Sequence, residues 1–284
     1  MLSAYPKVCI TRQVNRMRIA GIQIGAGPDM ERNIQRAVEK AEVAAEKDAK
    51  IICYPELFLT PWFPKEEQKS SLSLAIDASS EALSRFRKLS EKTKAVLIIP
   101  FFESIDERYY NSAAVIDSGM LLGVYRKIHL PDLHLYRERF YFSPGDTGIP
   151  VFETSQGKIG VQICWDNLIP EGTRILALKG AEIVFAPTAA ALNTHSLWER
   201  AISANAFANN IFIFRVNRVG QEDGISFYGR SFCVDPWGEM ISELAGGKEA
   251  IVLADIDSKE RIAAAETWGF LKHRRPREYG DLVK

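Results

Sequence analysis

KIGVQICWDNLIPE, residues 158–171, is the stretch whose reading decides the fold. Residues 159–163 form an apolar run of strand length that leads into Cys164. Asp166 and Asn167 follow, and both are residue types that favour a helix N-cap. Residues 169–179 carry apolar side chains at helical spacing, and Gly180 suits the end of that helix. The cysteine is therefore expected where a strand ends and a helix is about to begin. Unpaired backbone N–H groups converge at such a point and favour negative charge. That suits a thiolate, the reactive form of the side chain. A small buried residue closing a strand is the alternative, since free cysteine is among the most buried residue types.

Outward from this stretch, strand and helix patterns alternate. Met17 opens a strand, MRIAGIQIG, broken by Gly25, Gly27, Pro28 and Asp29. Residues 30–47 are helical in pattern, 49–54 a buried strand, 79–93 helical with Ser79 or Ser80 as cap, and 95–102 a buried strand. Residues 109–117 and 120–126 read as strands joined by Asp117-Ser118-Gly119, a hairpin turn. Residues 128–150 read as a long irregular segment, and such segments are often functional. Strands are expected at 151–154, 181–186, 211–217, 231–234 and 250–256, and a helix at 197–209. AKIICYPE (49–56) and AEIVFAPT (181–188) echo one another, which two similar halves or chance would each explain. The alternation argues for an α/β fold. No linker divides the chain, so residues 17–284 are expected to form one domain, with a tail from about 266 lying over another surface and a loose extension at 1–16.

Composition excludes several function classes. The 284 residues hold 36 Lys plus Arg against 36 Asp plus Glu, so no basic excess points to nucleic acid or to a membrane surface. No apolar run approaches the roughly 18 residues of a membrane span. Cys9, Cys53, Cys164 and Cys233 lie far apart with no C-x-x-C pair. A zinc site or a disulfide framework is not expected, and a cytoplasmic location is. G-x-S-x-G, H-E-x-x-H and Walker patterns are absent, and the glycines of GIQIGAGPD do not match G-x-G-x-x-G.

Three ionisable residues stand at the C-terminal ends of apolar strands: Glu56 after IICYP, Lys127 after GVYR and Cys164 after GVQI. Ligands of open α/β sheets bind at those ends. If the three converge, the carboxylate can take the thiol's proton, the sulfur can attack a carbonyl or nitrile carbon, and the ammonium can stabilise the oxyanion. The Trp165 N–H is a natural second oxyanion donor. Each residue also has a plain structural reading, as a loop carboxylate, a solvated strand end and core packing.

YPELFLTPW, YRKIHLPD and GVQICWDNLIPEGTR, in this order and spacing, resemble the three signature blocks of the nitrilase superfamily, the carbon–nitrogen hydrolases. The resemblance continues through FYFSPGDTG, KGAEIVFAPTA, NRVG, GRSFCVDPWGE and HRRPREYG, and is nearest to the N-carbamoylputrescine amidase and β-ureidopropionase branches. It implies a four-layer α-β-β-α sandwich with no metal or organic cofactor. It also implies Glu56 as general base, Lys127 as oxyanion partner, Cys164 as nucleophile and Glu138, in YRERFYF, as a second glutamate orienting Lys127 and substrate. The activity implied is hydrolysis of a linear amide or N-carbamoyl compound through a cysteine thioester. Acyl transfer to an amine, nitrile hydrolysis and a non-catalytic binding role are the alternatives. A homodimer or larger homo-oligomer is implied, formed partly through the helix after Cys164.

Around these residues, Trp165, Thr188 and Ala189 are expected to line the substrate pocket. Trp62, Phe140 and Tyr141 could line it or serve the core. His129 reads as a satisfied structural histidine, and Asp166 as a helix cap. Asn193, His195 and Trp198 stand where the family varies with substrate, and Arg174 reads as helix surface or dimer contact. A carboxylate-bearing substrate calls for a cation at the pocket mouth and a diamine derivative for an acid. Asp132, Arg137, Arg139 and Asp146 offer both.

Overall fold

A computed structural model describes residues 16–284. The leader expected at 1–16 lies outside the described residues except for Arg16. Strand β1 (Met17–Gln23) begins where the sequence places it, and helix α1 (Met30–Glu46) follows, capped by the Asp29 carboxylate. Then come β2 (Ile51–Cys53), α2 (Glu81–Thr93), β3 (Val96–Ile105), β4 (Arg108–Asp117) and β5 (Met120–Arg126). Ser80 provides the α2 cap, accepting from Leu83 N. Ser118 and Gly119 both have positive φ, 50° and 82°, as a tight hairpin turn requires.

The segment at 128–150 is more ordered than its sequence suggests. It holds the small hairpin β6 (Asp132–Leu133) and β7 (Tyr136–Arg137), then the one-turn helix α3 (Glu138–Tyr141). The second half runs through β8 (Val151–Thr154), β9 (Gly157–Val161), α4 (Pro170–Leu178), β10 (Ile183–Thr188), α5 (His195–Asn209) and β11 (Phe212–Asn217). The hairpin β12 (Val219–Glu222) and β13 (Ile225–Tyr228) follows, then β14 (Phe232–Val234), β15 (Ala250–Ile256) and α6 (Ser258–Trp268).

Two sheets result, one of six strands in the order β15-β1-β2-β3-β4-β5 and one of five in the order β14-β11-β10-β9-β8. Strand alternation sorts the core. Ile51 and Cys53 of β2 face the second sheet, whereas Ile52 and Tyr54 face α1 and α2. On the other side Leu176, Ala177, Ile202 and Ala206 bring α4 and α5 onto the second sheet. The order is helices, sheet, sheet, helices: the four-layer sandwich. The sheets pack closely at Gly21, where a Cβ would stand 2.8 Å from Val216 and 3.0 Å from Phe214. The sequence echo has a structural counterpart. β2 lies between two parallel neighbours in one sheet, and β10 does so in the other.

Strands β2, β3 and β5 run the same way, so the residues after β2 and β5 emerge at one edge of the six-stranded sheet. The tail beyond α6 lies over the second half, with Trp268 and Phe270 packing on Phe207 of α5. No helix among the described residues is long and apolar enough to cross a membrane.

Candidate active site

The loop after β2 carries Glu56, the end of β5 carries Lys127, and the turn after β9 carries Cys164. All three side chains are buried. Lys127 Nζ lies 2.7 Å from Glu56 Oε1 and 2.7 Å from each carboxylate oxygen of Glu138 at the start of α3. Asn111 Nδ2 also donates to Glu56 Oε1, at 2.7 Å. Glu56 Oε2 is buried without a hydrogen-bond partner. Such an oxygen is costly unless a substrate, a thiol or a water uses it.

The charge balance here is two carboxylates against one ammonium, plus the thiol. Burial works against the Lys127 ammonium, but Glu138, Glu56 and Cys164 together hold its pKa above the usual lysine value. Burial drives the Glu138 carboxyl up to about 8, against the pull of Lys127 and with a push from Glu56. Burial thus works toward the neutral acid at Glu138 while Lys127, donating to both of its oxygens, works toward the carboxylate. Burial also pushes the Cys164 thiol well above its ordinary value, aided by Glu56 and opposed by Lys127 and the Ala189 N–H. Desolvation thus outweighs the local backbone field and favours the thiol form, in keeping with a proton handed to a carboxylate as the sulfur attacks.

The turn differs from the sequence expectation. β9 ends at Val161, and Cys164 opens a short 3-10 turn, Cys164–Leu168, before α4 begins at Pro170. Cys164 has φ 46°, in the left-handed region. Non-glycine residues held there gather at functional sites, because surrounding contacts must over-determine them. Those contacts are visible. Asn167 Nδ2 donates to Gln162 O and Cys164 O, at 2.9 and 3.1 Å.

Asp166 does not cap α4. One carboxylate oxygen accepts from His129 N at 3.0 Å and meets His129 Nδ1 at 2.8 Å. The other accepts from Tyr125 Oη at 2.7 Å and Ile163 N at 3.1 Å. This buried carboxylate ties the strand carrying Lys127 to the turn carrying Cys164, and His129 is the satisfied histidine its sequence setting suggested.

Two further devices fix the lysine and glutamate. The Phe140–Gly148 motif FYFSPGDTG lays Gly145 against the backbone that carries Lys127, where Gly145 N donates to Lys127 O at 2.9 Å. A Cβ on Gly145 would stand 2.1 Å from Arg126 O. Arg218, of NRVG, is fully buried and pairs with Glu222. Its guanidinium donates to the carbonyls of Glu56, Leu57 and Thr60 at 2.8–3.1 Å, gripping the loop after β2. Asn111 and Arg218 were missed as site residues, and Asp166 was read only as a cap. Each is a polar residue inside an apolar strand or turn, and that was the available signal.

A cavity of about 240 Å³ opens onto Cys164. Trp165 and Ala189 line it as expected, with Tyr136, Ala190, Thr194 and Trp198. Thr188 does not: its hydroxyl turns back onto Ala186 O at 2.9 Å. Trp62 and Tyr141 belong to the core beneath, with Trp62 Nε1 donating to Leu135 O and the Tyr141 hydroxyl to Glu66 O. Phe140 is turned outward. None of the four candidate recognition charges lines the cavity. Arg137 pairs with Glu67 and Asp132, Asp146 with Arg126, and Arg139 Nε donates to Leu130 O.

The chain is also similar to known proteins. The carbon-nitrogen hydrolase family profile matches residues 18–266. The chain is 36% identical to N-carbamoylputrescine amidase of Arabidopsis thaliana over 282 residues, 93% of this chain and 94% of that one. The solved carbon-nitrogen hydrolase from Helicobacter pylori G27 superposes with a TM-score of 0.90 at 33% identity, covering 95% of this chain and 99% of that chain. An amidase mutant from Nesterenkonia sp. AN1 matches with a TM-score of 0.81 at 26% identity, over 95% of this chain and 99% of that one. In that structure the acetamide moiety of fluoroacetamide is covalently added at the active-site cysteine.

Proposed function

The chain belongs to the carbon–nitrogen hydrolase family, and from that premise we propose that Cys164, Glu56, Lys127 and Glu138 hydrolyse a small linear amide or N-carbamoyl compound through a thioester. The observation that carries this reading is Glu56 Oε2, buried and unpartnered on a carboxylate whose other oxygen is held by Lys127 and Asn111. It is a proton acceptor with nothing else to accept.

In the first step the Cys164 S–H gives its proton to Glu56 as sulfur bonds to the carbonyl carbon. The oxyanion is met by Lys127 and by the Trp165 N–H, in a solvent-closed setting where charge interacts strongly. The C–N bond then breaks, and Glu56 returns the proton to the leaving amine or ammonia. Water attacks the thioester, gives a proton to Glu56, and the S–C bond breaks to restore the thiol. A carbamoyl substrate leaves as amine, carbon dioxide and ammonia. Glu138 holds Lys127 in place through both of its carboxyl oxygens.

An ammonia-release screen over linear amides, N-carbamoyl amines, ureido acids and nitriles tests the reading. Turnover of an amide or ureido compound by the native chain, absent from Cys164→Ala, supports it. Equal turnover by the variant refutes the nucleophile assignment.

The compartment and assembly belong to the same proposal. Cys53, Cys164 and Cys233 are buried free thiols, which suits a reducing cytoplasm. Leu178 is exposed at the end of α4, and Arg174 on that helix keeps a buried Nη1 without a hydrogen-bond partner. Both suit a helix that meets a second copy. Light scattering after size-exclusion chromatography would give twice the 31.9 kDa chain mass or more, whereas a monomer would refute the assembly.

A further inference from the structure

We propose that the preferred substrate bears its amide or N-carbamoyl group on a short, uncharged, apolar chain. This rests on the Cys164 hydrolase reading and adds the class of group beyond the reacting carbon. Three observations carry it.

The first is the lining. Of the residues around the cavity, none is ionised near neutral pH, and the polar contributions come from Thr194 and Tyr136. The Tyr136 hydroxyl oxygen accepts from Ala191 N at 2.9 Å, and a neutral hydroxyl cannot balance a substrate's charge. The cavity is about 240 Å³, below the roughly 300–1,000 Å³ of typical small-molecule sites. That fits a reacting carbonyl and a chain of a few carbons.

The second is the mouth. Leu133, Leu168, Leu192 and Leu197 all line this cavity, and they are exposed by 42%, 37%, 44% and 54%. Four exposed leucines around one opening form an apolar collar, and an apolar chain passing through it covers them.

The third is the fate of the nearby charges. Asp132, Arg137 and Asp146 are committed to ion pairs with one another or with Glu67 and Arg126. Arg215, a buried cation, stands off the cavity with its guanidinium 4.9 Å from the Trp198 ring, donating to Arg230 O and the Tyr228 hydroxyl. Trp198, not Arg215, lines the cavity. An ammonium or carboxylate at the far end of the substrate would lose its water and find no counter-ion among the lining residues, whereas a methyl or methylene group gains by the same burial.

The test is a matched set of ureas differing only at the far end: N-butylurea, N-carbamoylputrescine and N-carbamoyl-γ-aminobutyrate. Each consumes one water and gives its amine, carbon dioxide and ammonia, so ammonia release reads all three. The expected result is kcat/KM for N-butylurea at least about tenfold above both charged members, mainly through KM. A smaller advantage, or a charged member ahead, overturns the proposal while leaving the hydrolase reading intact. No turnover of any member or of simple amides, with Cys164 unmodified, overturns both. Leu133→Glu at the collar should move the ratio toward the ammonium-tailed urea by about fivefold or more. An unmoved ratio would show that the collar does not read the substrate.

Discussion

Lys127 Nζ stands 2.7 Å from Glu56 Oε1, with both side chains closed to solvent. The contact joins two strand ends 71 residues apart in the chain. Because the lysine also meets Glu138, the proton inventory of the pocket is shared, and each member can be perturbed with a distinguishable result.

Glu56→Gln keeps an oxygen to accept from Lys127 and Asn111, so the fold should survive. The amide cannot carry the thiol's proton. Turnover should fall by about 10²–10⁴-fold, the usual worth of a placed general base. Steady-state kcat with a thermal melt checks both halves.

Lys127→Arg should fail despite keeping the charge. The site presents three carboxylate oxygens at 2.7 Å to a compact ammonium, and a planar guanidinium is larger and aims its donors differently. A loss of about a hundredfold or more in kcat is expected, along with overpacking of about 1–3 kcal/mol. Kinetics and urea unfolding measure the two effects separately.

Glu138→Gln tests the shared proton. The folded-state pKa, about 8, lies above the ordinary 4.5, so folding takes up a proton between those values. Stability from this group is full below pH 4.5 and declines as pH rises toward 8. The melting temperature of the native chain should carry that fall. The side-chain amide of the variant cannot titrate, so there the fall should be shallower. Parallel profiles over that range would contradict the assignment.

Much of this was legible in the sequence because strand ends announce themselves. IICYP, GVYR and GVQI are short strand-forming runs followed by an ionisable residue, and their order matched a known set of blocks. The four layers were legible through the family resemblance and the echo of β2 and β10. Other features left weaker marks. The β3–β4 turn uses Asp106 and Glu107 at φ 47° and 61°, with no glycine to signal it. The β12–β13 hairpin and α6 went unread because neither has a long clean periodicity. Asp166 looked like a cap by residue type, but its partners come from residues 125, 129 and 163, a meeting set by tertiary packing. The upward push on the Cys164 thiol comes from burial in three dimensions, which local sequence cannot express.

Gly145→Ala probes positioning at a distance from the chemistry. Its Cβ would collide with Arg126 O at 2.1 Å, and that backbone would have to shift, carrying Lys127 with it. A displacement approaching about 1 Å costs about a hundredfold in rate. The expected signature is a fall in kcat larger than any change in KM, with a lower melting temperature. Unchanged kcat would show that this loop does not set the lysine.

The most direct measurement is the mass of the protein after brief incubation with a small amide such as fluoroacetamide, followed by peptide mapping. A single added acyl or alkyl group on the peptide containing Cys164, absent from Cys164→Ala, is the predicted result. An adduct on Cys53 or Cys233 instead, or amide turnover undiminished in Cys164→Ala, would contradict it.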